Sequence, residues 1–124
     1  MKKKLIILQI LILNGCSNVS FNEPEYARLV ELRTDVIETI KLCGKQSVND
    51  AITKLKRQSL YNVIYENGIR LRNEPKMVMR TVHSMITELD TKKDVMSESY
   101  CTAKLSNIDS ALTALIEIEG GMLW

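Results

Sequence analysis

Along four stretches of the chain, apolar residues recur at spacings of three and four, which places them on one side of an α-helix. The first stretch predicts a helix over 24–43. Its face is Tyr26, Leu29, Val30, Val36, Ile37 and Ile40, with Arg33 out of pattern. Asn22 suits the N-cap, Pro24 fits the first turn where its missing N–H does no harm, and Gly44 stops the run. A second helix starts at Ser47, whose spacing to Asp50 resembles a capping box. Val48, Ala51, Ile52, Leu55, Val63 and Ile64 form its inward side, Ser59 and Asn62 weaken its middle, and Gly68 ends it.

Asn73-Glu74-Pro75 restarts the pattern as cap and first turn, and Val78, Val82, Met85, Ile86 and Leu89 make a third stripe. Thr91 to Asp94 reads as another cap, opening a fourth helix that runs to about Glu119. Its stripe is the most regular: Cys101, Leu105, Ile108, Leu112 and Leu115, spaced 4-3-4-3. No segment sustains the alternation of a strand. The expectation is an all-α domain, a small four-helix bundle over residues 24–124.

Ahead of these stretches the pattern changes. Lys2, Lys3 and Lys4 precede an apolar run from Leu5 to Leu13 broken only by Gln9, followed by Asn14-Gly15-Cys16. That is the layout of an export signal. Nine helical residues rise only about 14 Å, roughly half of a ~30 Å hydrocarbon layer, so the run is too short to span comfortably.

Leu13-Asn14-Gly15-Cys16 resembles the lipobox of bacterial lipoproteins, whose pattern is Leu, a small residue, Gly or Ala, then Cys. Asn14 departs from the small residue; the Gly15-Cys16 pair is intact. The resemblance covers the leader alone, residues 1–15. It implies that Cys16 receives a diacylglyceryl group, that the leader is cut before it, and that the new amine is acylated. These covalent chains are the only prosthetic groups expected. Ser17 rather than Asp after the cysteine resembles an outer-membrane sorting signal, if the host is Gram-negative. Residues 16–23 then form a short tether. Cys16 to Pro24 extends at most about 28 Å, keeping the domain near the membrane.

With Cys16 assigned to lipid, Cys43 and Cys101 remain, 58 positions apart, in a chain expected outside the cytoplasm. Oxidising conditions favour a disulfide between them. Buried free thiols, or redox or metal chemistry, are the alternatives. No Cys-x-x-Cys spacing is present, and the one histidine, His83, gives too few soft ligands for a metal site.

Charge refines the picture. The chain carries +2 overall, but Lys2 to Lys4 belong to the leader, and without them 14 basic residues face 15 acidic ones. Aromatics are 5% of the residues, too few for base stacking, so nucleic acid is not an expected partner. Within the mature chain the nets over 16–40, 41–93 and 94–124 are −3, +6 and −4. Lys54, Lys56, Arg57, Arg70, Arg72, Lys76 and Arg80 therefore make a candidate surface for anionic head groups or an acidic partner. The competing reading is that the basic middle helices complement the acidic outer ones within the bundle.

Catalytic signals are weak. His83 has no Ser, Cys or carboxylate at a diagnostic spacing, and Glu117 and Glu119 point apart on a helix. Met77, Met79, Met85 and Met96 read as core filler. Trp124, after two glycines, lies outside the helical period and either packs back on the bundle or meets lipid or protein. No phosphate loop, metal motif or small-molecule pocket is legible. The expected function is that of a non-catalytic, lipid-anchored envelope protein that blocks, scaffolds or modulates a complex. Two alternatives are similar in leader and size: a superinfection or entry-exclusion lipoprotein, and a phage outer-membrane spanin-like lysis subunit. The second would be proline-rich, and this chain has two prolines. A small envelope enzyme or inhibitor is a further alternative.

Overall fold

The computed structural model describes residues 23–68 and 73–121, which leaves the leader, Cys16, Asn22, Arg70, Arg72 and Met122 to Trp124 outside the described residues. Four helices account for most of them: α1 (Glu23–Ile40), α2 (Val48–Gly68), α3 (Asn73–Lys92) and α4 (Glu98–Gly121). Each packs on its neighbour in sequence, and α1 closes the ring against α4. This is the all-α four-helix arrangement that the periodicity predicts, with an up-down-up-down course.

The core follows a stricter register than the apolar letters suggest. Buried positions run 25-29-32-36-39-43 from α1 into the turn that follows it, 48-52-55-59-62 on α2, 79-82-86-89 on α3 and 101-105-108-112-115-119 on α4. All are alternating steps of four and three, the seam of helices packed at a shallow angle. The expected stripe of α4 is reproduced. On α1 the expected face is displaced: Leu32 is buried and Val30 is exposed. On α2 the residues thought to interrupt the stripe, Ser59 and Asn62, belong to it, and Ile64 points to solvent at 61% exposure.

Hydroxyls can occupy such positions because the helix supplies their partners. Thr39 Oγ1 donates to the Asp35 carbonyl at 2.6 Å, and Ser59 Oγ donates to that of Lys56 at 3.0 Å.

Two helix ends differ from expectation. α1 finishes at Ile40, and the chain tightens into turns in which the Leu42 and Cys43 N–H groups donate to the Thr39 and Ile40 carbonyls. Gly44 then adopts φ +86°, a left-handed conformation that favours glycine. The fourth helix is not capped within Thr91 to Asp94. Thr91 Oγ1 donates back to the Glu88 carbonyl, continuing α3, and the cap is Ser97, whose Oγ accepts the Tyr100 N–H at 3.1 Å.

The turn after α1 brings Cys43 to the first turn of α4, where it is disulfide-bonded to Cys101 with Cα atoms 5.7 Å apart. The bundle therefore has a disulfide end. At its leading end α1 and α3 begin and α2 and α4 finish.

Candidate functional site

Among the described residues, the basic stretch is not gathered on one face. Lys54 is exposed beside the α1–α2 cleft, which also contains Asp35 and Glu38. Lys56 is turned to α3, where its Nζ lies 3.3 Å from Asp90 Oδ2. Arg57 is exposed, as is Arg80 on α3, and Lys76 is half-buried. Arg70 and Arg72 lie outside the described residues.

Asp90 organises the α2–α3 seam. Lys93 Nζ contacts its other oxygen at 2.8 Å and donates to Thr53 Oγ1 at 2.8 Å. The hydrogen bond from Lys93 is the main reason the Asp90 carboxyl titrates below its ordinary range, with Lys56 adding to it and burial opposing. Lys56 thus finds its counterion within the basic 41–93 segment, on α3, and not on an acidic outer helix. A different cross-link, Arg33 Nε to Asp109 Oδ1 at 2.9 Å, ties α1 to α4.

One turn beyond Lys56, Ser59 Oγ lies 2.6 Å from Nδ1 of His83. The sequence spacing of 24 positions gave no hint of this pair; only the antiparallel packing of α2 on α3 creates it. Ser59 is fully buried, so its hydroxyl is closed to any substrate, and the pair joins helices. Burial first, and the nearby Lys56 ammonium second, hold the His83 imidazole below its ordinary pKa of 6.5.

Between α1 and α2 a cleft of about 190 Å³ is lined by Arg28, Glu31, Leu32, Gln58, Tyr61 and Asn62. The Arg28 guanidinium lies over the Tyr61 ring, 5.0 Å from its centroid. Gln58 Nε2 donates to Asp35 at 2.7 Å and Asn62 Nδ2 to the Gln58 backbone carbonyl at 3.1 Å, which fixes both side-chain amides. Their oxygens are buried without a protein donor.

Sequence reasoning missed Glu25 and Glu119. Glu25 reads as a dipole-complementing residue and Glu119 as a helix end, yet both are buried, at 1% and 0% exposure. The available signal was register: four positions before Leu29 and four after Leu115. Glu117, in contrast, is exposed, so the two carboxylates of that pair do point apart. Beside them, the Tyr26 ring packs close to Gly120.

Among the described residues, no group of three or more His, Cys, Asp or Glu side chains is placed to hold a metal ion. None of the described helices is long and apolar enough to cross a membrane. Comparison with family models, curated proteins and solved structures finds no match to this chain.

Proposed function

We infer that the chain is a lipid-anchored lipoprotein of the bacterial envelope whose helical bundle is a non-catalytic interaction module. In a Gram-negative host it would be held in the outer membrane, facing the periplasm. The carrying observation is the Cys43–Cys101 disulfide behind a lipobox-type leader. A disulfide persists in oxidising compartments, and the leader supplies the route to one. Cys16 is then the acylated first residue of the mature protein, and diacylglyceryl plus N-acyl chains hold far more firmly than a single chain.

The interaction reading rests on what the bundle offers. The Ser59–His83 contact is sealed, whereas Lys54, Arg57 and Arg80 stand at the surface for an acidic partner. The anchor is tested by lipid labelling and membrane fractionation of the wild type and of Cys16→Ser. Labelling and membrane recovery that depend on Cys16 support it; labelling and recovery unchanged by the substitution overturn it. The module is tested by affinity capture from envelopes with the acylated protein, wild type against Lys54→Glu/Arg57→Glu/Arg80→Glu. Capture that persists through the triple reversal removes these three residues from the mechanism.

A further inference from the structure

The leading half of the bundle holds most of the buried polar residues and most of the exposed large apolar ones. Inside it, Glu25, Ser59, Asn62 and Glu119 share the core with Leu29, Met79, Val82, Leu112 and Leu115; among the described residues, the disulfide half holds only Thr39 as a buried polar residue. Outside, the exposed large hydrophobics show the same bias. Val30, Leu60, Tyr61, Ile64 and Met77 all fall in the leading half, and Val95 alone among those described lies toward the disulfide end. The two trends meet on α2, where Ser59 and Asn62 face inward while Leu60, Tyr61 and Ile64, at 46%, 54% and 61% exposure, face out.

These three residues continue from Arg57 at helical spacings of three, four and seven. They form a second stripe on α2, basic at one end and apolar along the rest. A helix that presents Leu, Tyr and Ile outward while burying polar side chains meets something apolar on that side.

The tether decides what that is. Chain outside the described residues leads back from Glu23 to Cys16, seven residues that extend at most about 25 Å. Glu23 opens α1 at the leading end, and the α2 stripe lies directly beside that part of α1, with Arg28 against Tyr61. A bilayer that holds Cys16 is thus within reach of the stripe. The residue types match an interface: aliphatic side chains to enter the acyl boundary, a tyrosine at head-group level and arginine for anionic lipid.

We propose that the outer face of α2, formed by Arg57, Leu60, Tyr61 and Ile64, docks on the surface of the membrane in which Cys16 is anchored, laying the bundle on its α2 side. This rests on the lipoprotein reading above. The disulfide end then projects away from the anchor, and α4, which does not pack on α2, faces away from the lipid.

The experiment uses the acylated full chain in vesicles of phosphatidylethanolamine and phosphatidylglycerol, with a nitroxide introduced by Ile64→Cys or, as control, by Ser110→Cys on the exposed side of α4. Docking places the position-64 label where oxygen collides with it more often than a water-soluble nickel chelate, with the ranking reversed at position 110. Equal aqueous access at both positions in a chain that is acylated and vesicle-bound overturns the docking face while leaving the anchor intact. Shielding at position 64 that is already present without vesicles, together with a doubled mass in solution, overturns it in favour of a second copy. If no acyl group is found, the anchor reading fails, and the unacylated chain is titrated with the same vesicles. Binding weakened about ten-fold by Ile64→Glu, the scale of exposing one buried isoleucine, supports the face, and binding unaffected by that change overturns it.

Discussion

Ser59 Oγ and His83 Nδ1, 2.6 Å apart, join α2 to α3 near the middle of both helices. With the Ser59 proton donated to the Lys56 carbonyl, the hydroxyl oxygen is free to accept from Nδ1–H. A further proton on the ring would place a second cation close to the Lys56 ammonium in a half-buried setting.

That geometry gives a pH dependence with a defined sign. The folded-state pKa of His83 is depressed below 6.5, so the unfolded chain binds the proton more readily. The His83 contribution is fully present above the unfolded value and is lost as pH falls from about 6.5 toward the folded value. Urea denaturation across pH 7.5 to 5 should show stability falling in the wild type and a flatter profile in His83→Gln. The contribution of Asp90, whose pKa is also depressed, belongs to a lower window: it is present above the ordinary 3.8 and disappears as pH falls through the folded value.

Lys56 and Arg57 are adjacent in sequence but should respond differently to charge reversal. Lys56→Glu sets a carboxylate beside Asp90 and should destabilise by about 1 kcal/mol, a modest figure because the lysine is 42% exposed. Arg57→Glu, on an exposed position, should stay within about 0.5 kcal/mol of wild type. Equal losses for both in chemical denaturation would show that the α2–α3 ion pair is not what distinguishes them.

Loss of the Cys43–Cys101 bridge should be among the larger single effects on stability. Cross-linking positions 58 apart removes chain entropy from the unfolded state amounting to about 4 kcal/mol. Intact mass after alkylation without reductant should show neither of these cysteines modified, and Cys43→Ala/Cys101→Ala should melt well below wild type. Two alkylated thiols in natively exported protein would contradict the bridge.

Asn62 offers a substitution expected to stabilise. Its Oδ1 is buried without a protein donor, a situation that costs about 1–3 kcal/mol, and Leu32 lines the same cleft. Asn62→Leu should raise stability by about 1 kcal/mol in urea denaturation. A destabilised variant would mean that the amide is satisfied in solution by water in the cleft beside Tyr61.

The helices and their number were determined by the sequence, because periodic apolar residues bounded by Gly44, Gly68 and Asn73-Glu74-Pro75 leave few other solutions. Where every core position is apolar, as in α4 from Cys101 to Leu115, the buried face was legible too. The even pair of cysteines allowed a bridge without establishing it; the turn at Gly44, which delivers Cys43 to the start of α4, is a matter of tertiary structure. So is the register of α1 and α2. Glu25, Thr39, Ser59 and Asn62 are inside and Val30 and Ile64 outside because burial is set by which neighbouring helix a side chain faces, and local polarity carries no record of that. The pairing of Ser59 with His83 and the separation of the basic residues of α2 have the same origin. Residues 24 positions apart meet only once α2 and α3 run antiparallel, and Lys54, Lys56 and Arg57 separate around α2 because successive helical positions turn through 100°.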